Sequence, residues 1–223
     1  MDNRMIDFIA ALRAAGVRIS VAESADALRA VEQIGITDKA RFRSALQATV
    51  IKESRDIETF LHYFPLYFGF DQPPMQQPGG GGSMSEQEQH MMQQMLQHML
   101  EQMTPQQLAE LFNAMMSGQH LSQQQIREML MQGSLPAMPA TTNPAYQSWM
   151  ARRAMREMNF NQLEQALQQL LQQLREAGVS EQALQEIEQA AQQNRETLAE
   201  QIEQQVGRHM AEQMQERQPG KGT

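Results

Sequence analysis

Six of the twelve aromatic residues in this 223-residue chain fall between Phe60 and Phe70. They close a stretch in which apolar residues recur every three or four positions, the spacing of one face of an α-helix. Gly16 and Gly35 interrupt this spacing, as glycine does where helices end, and Pro65 is expected to end or kink the last helix. Residues 1–72 are therefore predicted to form an N-terminal helical domain, a small antiparallel bundle of four helices.

Polar residues in front of each helix supply the start signals. Ser20 with Glu23 forms an S-x-x-E capping box for the second helix. Thr37 can cap the third helix and Ser54 the fourth. The residues predicted to face inward are Met5, Phe8, Ile9 and Leu12, then Val21, Ala25, Leu28 and Val31, then Phe42, Ala45, Leu46, Thr49 and Val50, then Ile57, Phe60, Leu61, Phe64 and Phe68.

The aromatic run makes the fourth helix apolar over more than one face. We favour a second core layer as the explanation, because most large aromatic side chains are buried. The alternative is a docking face for another domain or protein, since aromatic residues are enriched at interaction hot spots. The candidate docking residues are Phe60, Tyr63, Phe64, Tyr67, Phe68 and Phe70.

The composition changes after residue 72. Pro73-Pro74, Pro78 and the glycines from Gly79 to Gly82 predict a flexible linker over 73–89. Residues 90–135 are predicted to form helices rich in Met and Gln, with Ser122 and Gln125 as another capping box. A loop over 136–143, a Gln-rich helical region over 144–217 and a polar tail over 218–223 follow. No stretch alternates like a strand, so the predicted fold class is all-α.

The Gln-rich region carries two apolar stripes separated by Gly178. They predict a helical hairpin or a coiled coil, and self-association through residues 160–215 is one functional alternative. The first stripe is Leu163, Leu167, Leu170, Leu171 and Leu174, and the second is Leu184, Ile187, Ala191, Leu198, Ile202 and Val206.

Composition argues against several classes of protein. The net charge is −8 and most of the excess acid lies after residue 72, so no basic patch for nucleic acid is expected. The chain has no cysteine and no apolar run of the ~18 residues that span a membrane, which together with an N-terminus unlike a leader suggests a cytoplasmic protein.

No catalytic constellation is visible, so we expect no enzyme and no cofactor in this chain. The serines stand where helix caps are needed, and no Glu has a His three residues later, as a di-metal bundle requires. The methionines at 91, 95, 99 and 103, with His90 and His98, leave copper(I) binding as an alternative function. Adaptable packing is the simpler explanation of that stripe, and no metal ligand is assigned.

The first block resembles the N-terminal region of the von Willebrand factor A domain-containing proteins of the CoxE-like type. The resemblance covers about residues 5–70 and rests on helix caps and core positions. The matching motifs are Phe8-Ile9-x-x-Leu12-Arg13-x-x-Gly16-Val17-x-Ile19-Ser20, Ala27-Leu28 leading to Gly35-Ile36, Phe42-Arg43-x-Ala45-Leu46-x-Ala48-Thr49-Val50, and Phe60 to Phe68.

The resemblance implies a non-enzymatic adaptor. Proteins of that family work with MoxR-type AAA+ ATPases in the maturation of a client enzyme or in the insertion of its metal cofactor. They also carry a C-terminal von Willebrand A domain that binds a divalent metal through D-x-S-x-S. This sequence has no D-x-S-x-S, and we expect it to be an N-terminal fragment, a truncated product or one half of a split protein.

Overall fold

A computed structural model describes residues 2–35, 38–69, 74–132 and 143–217. These residues form ten α-helices and one 3-10 turn, Ser54–Asp56, and the described part of the chain contains no strand. The predicted all-α class is therefore confirmed. The helices are α1 (Asp2–Ala14), α2 (Val21–Ile34), α3 (Lys39–Val50), α4 (Ile57–Phe68), α5 (Glu86–Gln102), α6 (Gln106–Ser117), α7 (Gln123–Gln132), α8 (Pro144–Glu157), α9 (Gln162–Glu176) and α10 (Glu181–Arg217).

The chain divides into two units. Of the described residues, unit 1 holds α1 to α4, the start of α8 up to Trp149, and α10 from Gln204 onward. Unit 2 holds the segment from residue 74 through α7, α8 from Met150, α9, and α10 up to Glu203. Residues 1–72 were predicted to form the N-terminal helical domain. In the structure, unit 1 joins their helices to the start of α8 and to residues 204–217, which we call the C-terminal segment.

The start of α2 follows the expected capping chemistry, the start of α3 uses a different residue, and α4 begins without a side-chain cap. The Ser20 hydroxyl accepts a hydrogen bond from the Glu23 amide at 3.2 Å, and the Glu23 carboxylate accepts one from the Ser20 amide at 2.7 Å. Asp38, rather than Thr37, caps α3 by accepting from the Arg41 amide at 3.1 Å; Thr37 lies outside the described residues. Ser54 does not cap α4 as predicted: it begins the 3-10 turn, and the N-cap of α4 is Asp56, whose side chain makes no cap hydrogen bond.

Most residues predicted to face inward are buried in unit 1, while Val21 and Leu61 are exposed. Five more are only partly buried: Ala25, Leu28, Ala45, Thr49 and Ile57. Val21 is 81% exposed because it is the first residue of α2, beyond the reach of the packed helix faces. Leu61 is 46% exposed and lies with Glu58 and Pro65 on the outer stripe of α4. Pro65 does not end α4, which continues to Phe68.

The segment predicted to be a flexible linker is packed against other residues of unit 2. Residues 74–85 lack helix, as expected, but Pro78, Gly79 and Met84 are buried within unit 2. The Asn194 side chain accepts a hydrogen bond from the Gln76 amide at 2.9 Å and donates one to the Gln76 carbonyl. Because Asn194 satisfies both the amide and the carbonyl of Gln76, it fixes this segment to α10 within unit 2.

The first helix of unit 2 starts earlier than the predicted position at His90. Helix α5 begins at Glu86, after a complete capping box in which Ser85 and Glu88 bond each other's backbone amides. The predicted box at Ser122 is confirmed, since the amide of Gln125 bonds the Ser122 hydroxyl at 3.1 Å and the Ser122 amide bonds the Gln125 side chain at 2.9 Å.

The last two helices form the predicted hairpin. Side chains pair antiparallel across it, with Arg175 bonding Glu181 near the turn at 2.7 Å. Gln168 bonds Glu188 at 2.9 Å, and Arg195 lies 3.6 Å from Glu164 farther from the turn. All residues of the two predicted apolar stripes are buried. The predicted loop 136–143 lies outside the described residues except Asn143, and so does the tail 218–223.

Candidate docking face

The aromatic run of α4 packs around Phe8 of α1. The ring centroid of Phe8 lies 5.6 Å from that of Phe60, 5.7 Å from Tyr67 and 5.1 Å from Phe68, all in edge-on geometry. Phe42 of α3 adds a contact to Phe68 at 5.0 Å. Edge-to-face pairs are favoured by the ring quadrupole, so these rings form the centre of the bundle core.

Five of the six candidate docking residues are therefore not an open surface. The structure buries these five, and the sixth, Phe70, lies outside the described residues. The burial of the five favours the second core layer, because side chains this enclosed reach a partner only if the bundle is opened; docking through these residues stays a prediction. The buried members are Phe60 at 0% exposed, Tyr63 at 3%, Phe64 at 8%, Tyr67 at 1% and Phe68 at 1%.

A later part of the same chain covers the outer part of this layer. We call Tyr63, Leu66 and Tyr67 of α4, with Asp7 of α1, the tyrosine face. The C-terminal segment lies on it in the sense antiparallel to α4, since Gln204 is close to Gly69, Gly207 to Leu66 and Met214 to Tyr63. Ala211 completes the same apolar cluster as the bundle core.

Arg208 is the central polar residue of this contact. Its guanidinium lies over the Tyr67 ring, 5.3 Å from the centroid, and its Nη2 atom is 3.9 Å from the Asp7 carboxylate. Its Nε donates to Glu212 at 3.2 Å, and Gln215 donates to the Asp7 carbonyl at 3.2 Å. The side chain of Arg208 is 11% exposed, so its charge is balanced by two carboxylates and a ring rather than by water.

Burial changes the ionisation of the side chains on α4. Burial raises the pKa of Tyr63 to about 12. It also raises the pKa of Tyr67, where Glu212 adds to the effect and Arg208 opposes it. Burial lowers the pKa of His62, while a hydrogen bond with Gln147 of α8 opposes the change. The two tyrosines therefore remain neutral phenols, which can donate hydrogen bonds but carry no charge.

The methionine stripe of α5 contributes to the packing of unit 2. Of the predicted stripe, Met99 is buried, while Met91, Met95 and Met103 are half-buried. His90 and His98 are exposed, each bonded to a glutamine one turn later. Among the described residues, no three His, Asp or Glu side chains are grouped so that they could hold a metal ion. Copper binding stays a prediction, and so does self-association, although the Leu and Ile stripes are used within the hairpin.

Sequence reasoning missed the residues that cover the tyrosine face. One signal was present: Gly207 is the only glycine within α10. An isolated glycine in a helix usually has a packing reason, and here a Cβ at Gly207 would overlap the Gln147 side chain and lie 2.9 Å from Leu66. Nothing in the local pattern of Arg208 distinguished it from the exposed charges around it.

These features define the first block as a helical bundle domain built on an aromatic core. Residues 5–70 match the family model of the CoxE N-terminal helical bundle domain. The chain thus carries a CoxE-type N-terminal helical bundle, as its sequence resemblance predicted. Searches of curated proteins and of solved structures give no match. None of the helices in the described part of the chain is both long and apolar enough to cross a bilayer.

Proposed function

We propose that this protein is a non-enzymatic, cytoplasmic adaptor that pairs with a MoxR-type AAA+ ATPase in maturing a client enzyme or inserting its metal cofactor. The observation that carries the proposal is the match of residues 5–70 to the CoxE N-terminal helical bundle domain. We infer the ATPase and the client enzyme as partners from the family resemblance of this block. The absence of cysteine suits a reducing compartment.

The burial pattern indicates where an ATPase could contact the folded bundle. Since the aromatic core is closed, contact without unfolding must use side chains that stay exposed. Ile6 of α1 is 55% exposed and Leu61 of α4 is 46% exposed. Exposed apolar side chains are common singly on protein surfaces, so these two serve as probes of an interface and not as its proof.

The test is binding of the full chain to a MoxR-type ATPase from the same organism. We expect the two proteins to co-purify and expect Leu61→Asp or Ile6→Asp to weaken the complex by about tenfold, as loss of an interface contact does. Met131→Asp is the matched control, because Met131 is an exposed apolar residue, 71% exposed, of unit 2. The proposal would be contradicted if the unmodified chain did not bind the ATPase in its ATP-bound, ADP-bound or nucleotide-free state.

A further inference from the structure

The C-terminal segment contacts the tyrosine face as a bound helical ligand would. It is helical throughout, and it places Gly207 against Leu66, Arg208 against Tyr67 and Asp7, and Met214 against Tyr63. An amphipathic helix lying in a groove with anchors three, four and seven positions apart is a recurrent mode of protein recognition. Gly207, Ala211 and Met214 follow this spacing.

The fit of the segment is incomplete at its polar atoms. The buried Tyr67 hydroxyl has no hydrogen-bond partner among the described residues, and the same holds for the buried side-chain oxygen of Gln213. Within the part of the chain that the structure describes, the hydrogen-bond partner of the Tyr63 hydroxyl is the Met214 sulfur, at 3.8 Å. A thioether is a weak acceptor, and an unsatisfied buried polar group is unfavourable. A different helix could therefore satisfy this face better than the chain's own segment does.

We propose that the tyrosine face is a helix-binding site, which the C-terminal segment occupies until a helix of a partner protein replaces it. The ligand is an amphipathic helix with a small residue facing Leu66, followed directly by an arginine that reaches Asp7 and lies over the Tyr67 ring. One turn further it carries another small residue, in the place of Ala211. At the position of Met214 it offers an oxygen acceptor to Tyr63.

The charge and the size of the groups on the tyrosine face select this ligand. The Asp7 carboxylate, about half exposed, favours a cation at the edge of the face. Gly207 and Ala211 leave no room for larger residues, because Leu66 lies close to the first and the core cluster encloses the second. The inference goes beyond the proposed function, since it concerns a different face of the bundle and requires no ATPase.

The experiment measures binding of a fluorescent peptide with the sequence 203–217 to the full chain. In the unmodified chain the tethered segment competes at high effective concentration, so the peptide should bind weakly. The opened chain carries Arg208→Ala with Gln215→Ala, which removes both contacts to Asp7 and leaves the receiving face intact. We expect it to bind the peptide at least about tenfold more tightly than the unmodified chain does.

Peptide variants test the recognition itself. An Arg208→Glu peptide should lose binding to the opened chain, because it places a carboxylate beside Asp7. A Met214→Gln peptide should bind about 3- to 10-fold more tightly than the native peptide, since the amide oxygen accepts from Tyr63. Equal binding of the native and Arg208→Glu peptides, or no peptide binding by the opened chain, would overturn the proposal.

Two control measurements check the folding of the opened chain and its oligomeric state. Circular dichroism and thermal unfolding establish that the opened chain is folded, and Ala211→Glu in the full chain is a second way of lifting the segment if the double variant is not. Light scattering distinguishes the occupant. Monomers of 25.4 kDa fit a site for a partner protein, whereas dimers in which two copies exchange their C-terminal segments would overturn that choice of occupant.

Discussion

The guanidinium of Arg208 lies over the ring of Tyr67, with its Cζ atom 5.3 Å from the ring centroid. This contact joins the C-terminal segment to the helix that carries the aromatic core of the CoxE-type bundle. Phe8 of α1 also contacts the Tyr67 ring, at 5.7 Å between ring centroids. Arg208 of α10 and Phe8 of α1 thus both help to bury this ring. The stability of the N-terminal bundle is therefore expected to depend on residues near the other end of the sequence.

Replacing Arg208 by Ala should lower the free energy of unfolding by about 1–2 kcal/mol. The change removes a cation–π contact and the attraction to two carboxylates. Asp7 and Glu212 remain partly exposed, so neither becomes an isolated buried charge. Urea unfolding measures the effect, and Arg152→Ala is the control because Arg152 is exposed on α8. Equal losses for the two variants would contradict the assigned role.

Gly207 should resist replacement although it lies inside a helix. Gly→Ala normally stabilises an exposed helical site by about 1 kcal/mol. Here the added Cβ meets Gln147 and Leu66, so Gly207→Ala is expected to bring no gain and Gly207→Leu to lower the unfolding free energy by about 2 kcal/mol or more. Gln192→Leu, at an exposed position of α10, should be nearly neutral in the same denaturation assay.

Tyrosine ionisation should report the closure of the face. In a Tyr146→Phe background, only Tyr63 and Tyr67 remain to titrate. Burial raises both pKa values above the ordinary 10.0, that of Tyr63 to about 12. The fold keeps these phenols protonated where the unfolded chain ionises, so the unfolding free energy should be unaffected below about pH 10 and fall as pH rises toward about 12.

Ultraviolet absorbance of tyrosinate measures this directly. Absorbance in the folded protein should rise only above the pH at which a urea-unfolded sample titrates. A folded sample that titrates together with the unfolded one would show that the two hydroxyls are open to solvent.

Asn194 should be among the most sensitive polar residues of unit 2. It is 1% exposed and its side chain bonds the amide and carbonyl of Gln76 and the carbonyl of Met115 at 2.8 Å. Asn194→Ala removes the hydrogen-bond partner of those three backbone groups, and we expect the free energy of unfolding to fall by about 2–4 kcal/mol. Amide hydrogen exchange at Gln76 should quicken. The control Asn113→Ala, exposed on α6, should leave both quantities unchanged.

Local sequence chemistry predicted the helices well. The boxes at Ser20 and Ser122 were identified because the bonding partners lie three residues apart, within the sequence pattern itself. The box at Ser85 has the same spacing to Glu88, but it follows the glycines from Gly79 to Gly82, which are typical of a linker. Asp38 caps α3 in place of its neighbour Thr37; both residue types are able to cap, and spacing alone does not separate neighbours.

The packing of the C-terminal segment on the tyrosine face could not be predicted from local sequence patterns. The width of the aromatic face of α4 was predicted, together with the two possible reasons for it. What covers Tyr63 is Met214, 151 positions away, and a pattern of three to four residues holds no information about such pairs. The anchored segment at Gln76 was missed for the same reason, since Asn194 is 118 positions distant.

The central structural claim is that the C-terminal segment lies on the tyrosine face, and methyl NMR tests it most directly. With methionine methyl groups labelled, the resonance that disappears in Met214→Leu identifies Met214. We predict a nuclear Overhauser contact from this methyl group to the ring protons of Tyr63, because the Met214 sulfur lies 3.8 Å from the Tyr63 hydroxyl. A Met214 methyl group without any contact to Tyr63, in the folded full-length chain, would contradict the account.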